Sequence, residues 1–118
     1  MSGGAPEADS WPAFAARERA RRQREIDELH ARYGDLYERI TAILFRHDPV
    51  GLNVDDNTDE YAPEARRIAW ALSTLSSVDE ARRTIRDIFA ASFDDRLAGP
   101  ESRYQRAAED IWGLWERR

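Results

Sequence analysis

The chain has 118 residues, no cysteine, 42% hydrophobic and 35% charged residues, and a formal net charge of -5. This is one domain's worth of chain, too apolar over most of its length for disorder and without the thiols of a disulfide framework or a thiolate metal site. The negative balance runs against general nucleic-acid binding and suits a basic protein partner.

All eighteen basic residues are arginine, which we read as GC-rich codon usage rather than chemistry. Residues 1 to 9 are small, polar and Gly/Pro-containing, and are expected to be a disordered tail. They have neither a basic start nor an apolar run, so no signal peptide is expected. No apolar stretch approaches membrane-spanning length, and the expected residence is cytoplasmic.

Ser10-Trp11-Pro12 reads as a helix start, with Ser10 as the cap and proline in the first turn. The segment from 10 to 25 is an Arg-rich helical arm without an apolar face, carrying Arg17, Arg19, Arg21, Arg22 and Arg24. Charge pairs at i,i+4 are expected between Glu18 and Arg22 and between Arg21 and Glu25. From Ile26 the pattern changes. Ile26, Leu29, Tyr33, Leu36, Ile40, Ile43 and His47 follow at alternating steps of three and four, the seam of a helix laid against a neighbour. This predicts one helix from about Pro12 to about Arg46, projecting in its first half and core in its second. Gly34 is a place where it can kink without shifting the seam.

Pro49 should stop that helix at Asp48. In the turn that follows, Asp48 is expected to accept bonds from free amides, and Gly51 to take positive φ. Pro63 fits the first turn of a second helix, Pro63 to about Leu75, with Ala65, Ile68, Leu72 and Leu75 buried. Ser77-Val78-Asp79-Glu80 is a capping box that opens a third helix, whose apolar arc holds Val78, Ala81, Ile85, Ile88, Phe89 and Phe93. Gly99-Pro100 leads to a fourth helix, with Tyr104, Ala107, Ala108, Ile111, Leu114 and Trp115 on its apolar face. No strand-like alternation occurs. The expected fold is all-α, a four-helix bundle-like domain over 26 to 118 with a long, projecting first helix.

The run from His47 to Tyr61 concentrates the chemistry. Ile43-Leu44 precede it, and it holds Asp48-Pro49-Val50-Gly51-Leu52 and then Asp59-Glu60-Tyr61 leading into Pro63-Glu64. Here, and in Ile88-Phe89, Phe93 and Ala108-Glu109-Asp110-Ile111-Trp112, the chain resembles the YugE-like helical proteins, a small bacterial family of unknown function. The likeness spans roughly residues 36 to 115. It implies a compact helical bundle and brings no reaction with it.

Asp55-Asp56-Asn57-Thr58-Asp59 offers oxygens at alternate positions, as a calcium loop does. The sixth place of that template, a glycine, is Glu60 here, and the twelfth, a glutamate, is Arg66. Turn formation and capping of the second helix account for these residues, and neither a metal site nor a cofactor is expected. His47 falls on the seam and reads as a core-edge histidine, with no nucleophile in view to make it a base. His30 is not at ligand spacing to it.

Trp70 lies nearly opposite the stripe of Ile68, Leu72 and Leu75, and two readings stay open: an interface anchor, or a second buried face on a central helix. The functional expectation is a non-enzymatic, acidic, protein-binding domain. Asp55, Asp56, Asp59, Glu60, Tyr61 and Trp70 would face the partner, most concretely as an immunity or antidote protein blocking a basic toxin. The alternative is a nucleic-acid-associated regulator that uses Arg17, Arg19, Arg21, Arg22 and Arg24, with Trp11 and Phe14 for stacking. Packing of the first helix on a second copy is a third option.

Overall fold

Hydrophobic spacing at three and four residues selects helices, and helices are what form. A computed structural model describes residues 10–51 and 60–118, and among them the chain is all-α. Six α-helices occur in this part: α1 (Trp11–Tyr33), α2 (Leu36–His47), α3 (Ala62–Ala71), α4 (Val78–Phe93), the single turn α5 (Asp95–Ala98) and α6 (Gln105–Arg117). Short 3₁₀ turns, Leu72–Thr74 and Glu101–Tyr104, extend α3 and lead into α6. The longest dimension is 58 Å against 34 and 28 Å.

Four helices close around the core in a ring: α2 packs on α3, α3 on α4, α4 on α6, and α6 back on α2. Its centre is made of Ile40 and Leu44 from α2, Ile68 and Leu72 from the α3 segment, Ile85 and Phe89 from α4, and Tyr104 and Ile111 at the chain's end. Phe89 is the hub of the aromatic packing, with its ring centroid 5.6 Å from Tyr61, 5.2 Å from Tyr104 and 5.8 Å from Phe93.

The single long first helix of the sequence reading is two helices. Gly34, at φ 63° and ψ -128°, ends α1, its N–H bonded to the His30 carbonyl at 3.0 Å. Side chains other than glycine rarely adopt that backbone region, so the chain turns here and restarts at Leu36. The apolar seam nevertheless runs across the break: Leu29, Leu36, Ile40 and Ile43 are all buried. His30 and Glu38 hydrogen-bond to each other over the joint.

Helix ends follow the expected signals unevenly. Ser77 Oγ accepts the Glu80 N–H at 3.2 Å, while the Glu80 carboxylate reaches back to the N–H of Ser76 at 2.9 Å. The reciprocal bond of the capping box is thus displaced by one residue. Ser10 has extended backbone at the start of α1 but makes no side-chain cap bond. The second helix starts one residue earlier than read, at Ala62, and passes into 3₁₀ geometry at Leu72. It is buried on more than its apolar stripe, since Glu64 and Ala69 are also inaccessible. Among the described residues, Glu64 Oε1 has no hydrogen-bond partner.

Candidate functional site

The bend after α2 is built by Pro49 and Asp48. Proline disfavours the α region for the residue before it, and Asp48 takes the left-handed conformation, φ 47° and ψ 59°, while its N–H closes α2 on the Leu44 carbonyl at 2.8 Å. Gly51 has φ 75°, as the turn requires, and its N–H meets the Asp48 carbonyl at 3.3 Å.

The Asp48 carboxylate accepts the Tyr61 hydroxyl at 2.6 Å, and that hydroxyl accepts the Val50 amide at 3.4 Å. The turn amide of Val50 therefore goes to a tyrosine from the far end of the loop rather than to Asp48. Arg103 holds the bend from outside, with one guanidinium nitrogen donating to the carbonyls of Pro49 (3.1 Å), Leu97 (2.9 Å) and Ala98 (3.1 Å).

Of the residues expected to face a partner, Asp55, Asp56 and Asp59 lie outside the described residues. Glu60 is half-buried. Tyr61 is not on the surface: it is fully buried, with its ring on Phe89 and its hydroxyl in the clasp with Asp48. The expectation of a contact residue there does not fit this burial, because the ring packs in the core at the start of α3. Trp70 is half-buried. The end of α1 folds over it, with Tyr33 edge-on at 6.4 Å and the Arg32 guanidinium 5.6 Å from its ring centre. Tyr33 also meets Trp115 at 5.4 Å, and Arg118 stacks on Trp115 at 3.5 Å. This favours the reading of α3 as a helix covered on two sides.

The Arg-rich arm is the most exposed feature. α1 is about 34 Å long at 1.5 Å per residue, yet Leu29 is the first of its residues in the buried core. Trp11 is 74% exposed and Phe14 45%, and their rings stack with centroids 5.8 Å apart. Arg17, Arg19, Arg21, Arg22 and Arg24 are all exposed. The expected i,i+4 pairs are replaced. Glu18 pairs with Arg21 at 2.8 Å, which holds its carboxyl below the ordinary glutamate range. Glu25 instead takes Arg66 of α3 at 3.0 Å. Arg66 also donates to the Tyr37 hydroxyl at 3.3 Å, so it is the rivet between arm and body.

A second region was not legible as a site. Arg39, Ile43 and Arg46 share one face of α2, and α6 lays Asp110, Leu114 and Arg117 opposite them around an open cleft of about 370 Å³. Arg46 and His47 meet Asp110 at 3.1 and 2.8 Å, and Arg39 and Arg117 line the same cleft. The sequence signals were the four-and-three spacing on α2 and Gly113 inside a helix.

The Asp110 carboxyl sits below its ordinary range, chiefly through the hydrogen bond with His47 and then that with Arg46. A depressed carboxyl contributes stability above its unfolded value and loses that contribution as pH falls through the folded one. Asp110→Asn should therefore lower stability at neutral pH, and urea titrations should show the gap to wild type closing as pH falls through and below the ordinary aspartate range. A gap unchanged with pH would contradict this.

Among the described residues, no three His, Asp or Glu side chains are grouped to hold a metal, and no helix is long and apolar enough to cross a membrane. Comparison with models of known protein families, with curated proteins and with solved structures gives no match.

Proposed function

We propose that this is a non-enzymatic binding protein that engages a protein partner through its projecting arm. The observation that carries the reading is the end of α1, where Trp11 and Phe14 stay exposed and stacked on a helix whose first core residue is Leu29. Most helical stability in proteins comes from packing of an apolar face, and the stretch of α1 ahead of Leu29 contributes nothing to the core. Seating it in a partner's groove would cover two aromatic rings, the residue type that dominates binding energy at interfaces. In the narrower form of the proposal, the partner is a basic toxin and the protein is its antidote, with Asp55, Asp56, Asp59 and Glu60 facing it. The net charge of -5 supports that form through faster encounter with a cation-rich surface. We also propose kinship with the YugE-like helical proteins, which supplies a fold and no activity.

Co-purification from the native host tests the reading. Full-length protein should retain a stoichiometric protein partner, and the double variant Trp11→Ser, Phe14→Ser should lose it while keeping its helical circular-dichroism signal. No retained protein, or equal retention by the double variant, counts against it. The arm also supports a second reading. Five exposed arginines in eight positions beside two stacked rings suit a single-stranded nucleic acid. That reading requires co-purifying material that is removed by nuclease and binding that weakens steeply with salt.

A further inference from the structure

Three aromatic rings from α1, α3 and α6 meet at the surface of the body. Tyr33 stands nearly perpendicular to Trp70, with ring centroids 6.4 Å apart and planes at 72°, and to Trp115, at 5.4 Å and 69°. All three residues are half-buried, so part of the cluster stays open to solvent.

Two guanidiniums occupy it. Arg32 lies 5.6 Å from the Trp70 ring centre, and Arg118 lies 3.5 Å from that of Trp115 and 5.4 Å from that of Tyr33. A ring face attracts a cation placed over it, and the weakly hydrated, planar guanidinium suits such stacking. The two arginines differ in what else holds them. Arg32 is anchored by Glu28 at 2.9 Å. Arg118 is exposed, and among the described residues its guanidinium makes no hydrogen bond or ion pair. Rings alone keep it in place. A cation–π contact at an exposed site is weak enough to be exchanged. Exchange of one guanidinium for another leaves the charge over the rings unchanged, so a newcomer meets the surroundings that Arg118 has now.

We propose that Tyr33 and Trp115 form a stacking site for an arginine side chain of a protein partner, which Arg118 occupies in the free chain and vacates on binding. Trp70 backs Tyr33 and fixes its ring. The net charge of -5 draws basic protein surfaces toward this chain, and arginine and tryptophan are among the residues that dominate interface energies. The source of the arginine rests on the protein-partner reading above, but the site belongs to the body and not to the arm.

Proton–nitrogen correlation spectra of the full chain test it. N-acetyl-argininamide is titrated while the indole N–H signals of Trp115 and Trp11 are followed, with the neutral analogue N-acetyl-citrullinamide as control. The Trp115 signal should shift saturably with the arginine probe and far less with the citrulline one. Trp11, exposed on the arm, reports non-specific stacking and should not share that midpoint. Arg118→Gln should tighten the Trp115 response about three- to sixfold, because it removes a competitor that fills the site most of the time. No folding defect produces a gain of affinity. Tyr33→Leu should weaken the response. The double variant Trp11→Ser, Phe14→Ser should titrate as wild type, so this proposal and the arm reading fail separately. The proposal is overturned if the citrulline probe binds as well, if Trp11 responds with the same midpoint, or if Arg118→Gln leaves the affinity unchanged. Binding of free arginine but not of the amide probe also overturns it, since the source would then be the amino acid and not a protein.

Discussion

Phe89→Ala should destabilise the protein by about 3–5 kcal/mol, the range for deleting a fully buried phenylalanine, and lower the thermal midpoint by roughly 15 °C. The ring has no solvent exposure. It touches an aromatic ring at the end of its own helix and rings from two other parts of the chain, the entry to α3 and the turn before α6. Its removal leaves a cavity whose walls are themselves tied down. Tyr61 is held by Asp48, and the Tyr104 hydroxyl donates to the Ala98 carbonyl. The site therefore collapses poorly, which puts the cost toward the upper part of that range. Thermal melts followed by far-ultraviolet circular dichroism check this, and a drop of only a few degrees would show that the hub is looser than its burial implies.

The second large effect belongs to the clasp. Tyr61→Phe keeps the ring on Phe89 and removes only the hydroxyl. It takes a donor from the Asp48 carboxylate and an acceptor from the Val50 amide. A hydrogen bond to a charged group contributes about 1.5–3 kcal/mol, and we expect a loss of that size in urea denaturation. Asp48→Asn is the companion variant, because asparagine tolerates the left-handed backbone found there. The two should be non-additive, with a coupling of on the order of 1 kcal/mol in a double-mutant cycle. Strict additivity would mean that the two side chains act separately.

Much of the fold was readable because helix burial is a local, periodic property. Leu29, Leu36, Ile40 and Ile43 were assigned to one seam by spacing alone, and each is buried. The capping sequence at Ser77 and the positive φ of Gly51 were likewise set by nearest neighbours. What escaped depends on residues far apart in the chain. Gly34 either bends or ends a helix according to what packs on each side, and here the packing ends it. Tyr61 looked like surface because its hydroxyl partner lies thirteen residues back. Trp70 pointed away from its own stripe, and only the fold-back of Tyr33 and Arg32 covers it. The cleft needs α2 and α6 side by side, and a contact such as Arg46 with Asp110, separated by sixty-four positions, leaves no periodic trace.

Arg103 joins the carbonyl of Pro49 to those of Leu97 and Ala98 through a single nitrogen. Two corners of the chain that are remote in sequence thereby share one fastening. Opening either corner removes part of what holds the Arg103 side chain at the other, so Arg103→Ala should speed amide exchange at both corners together.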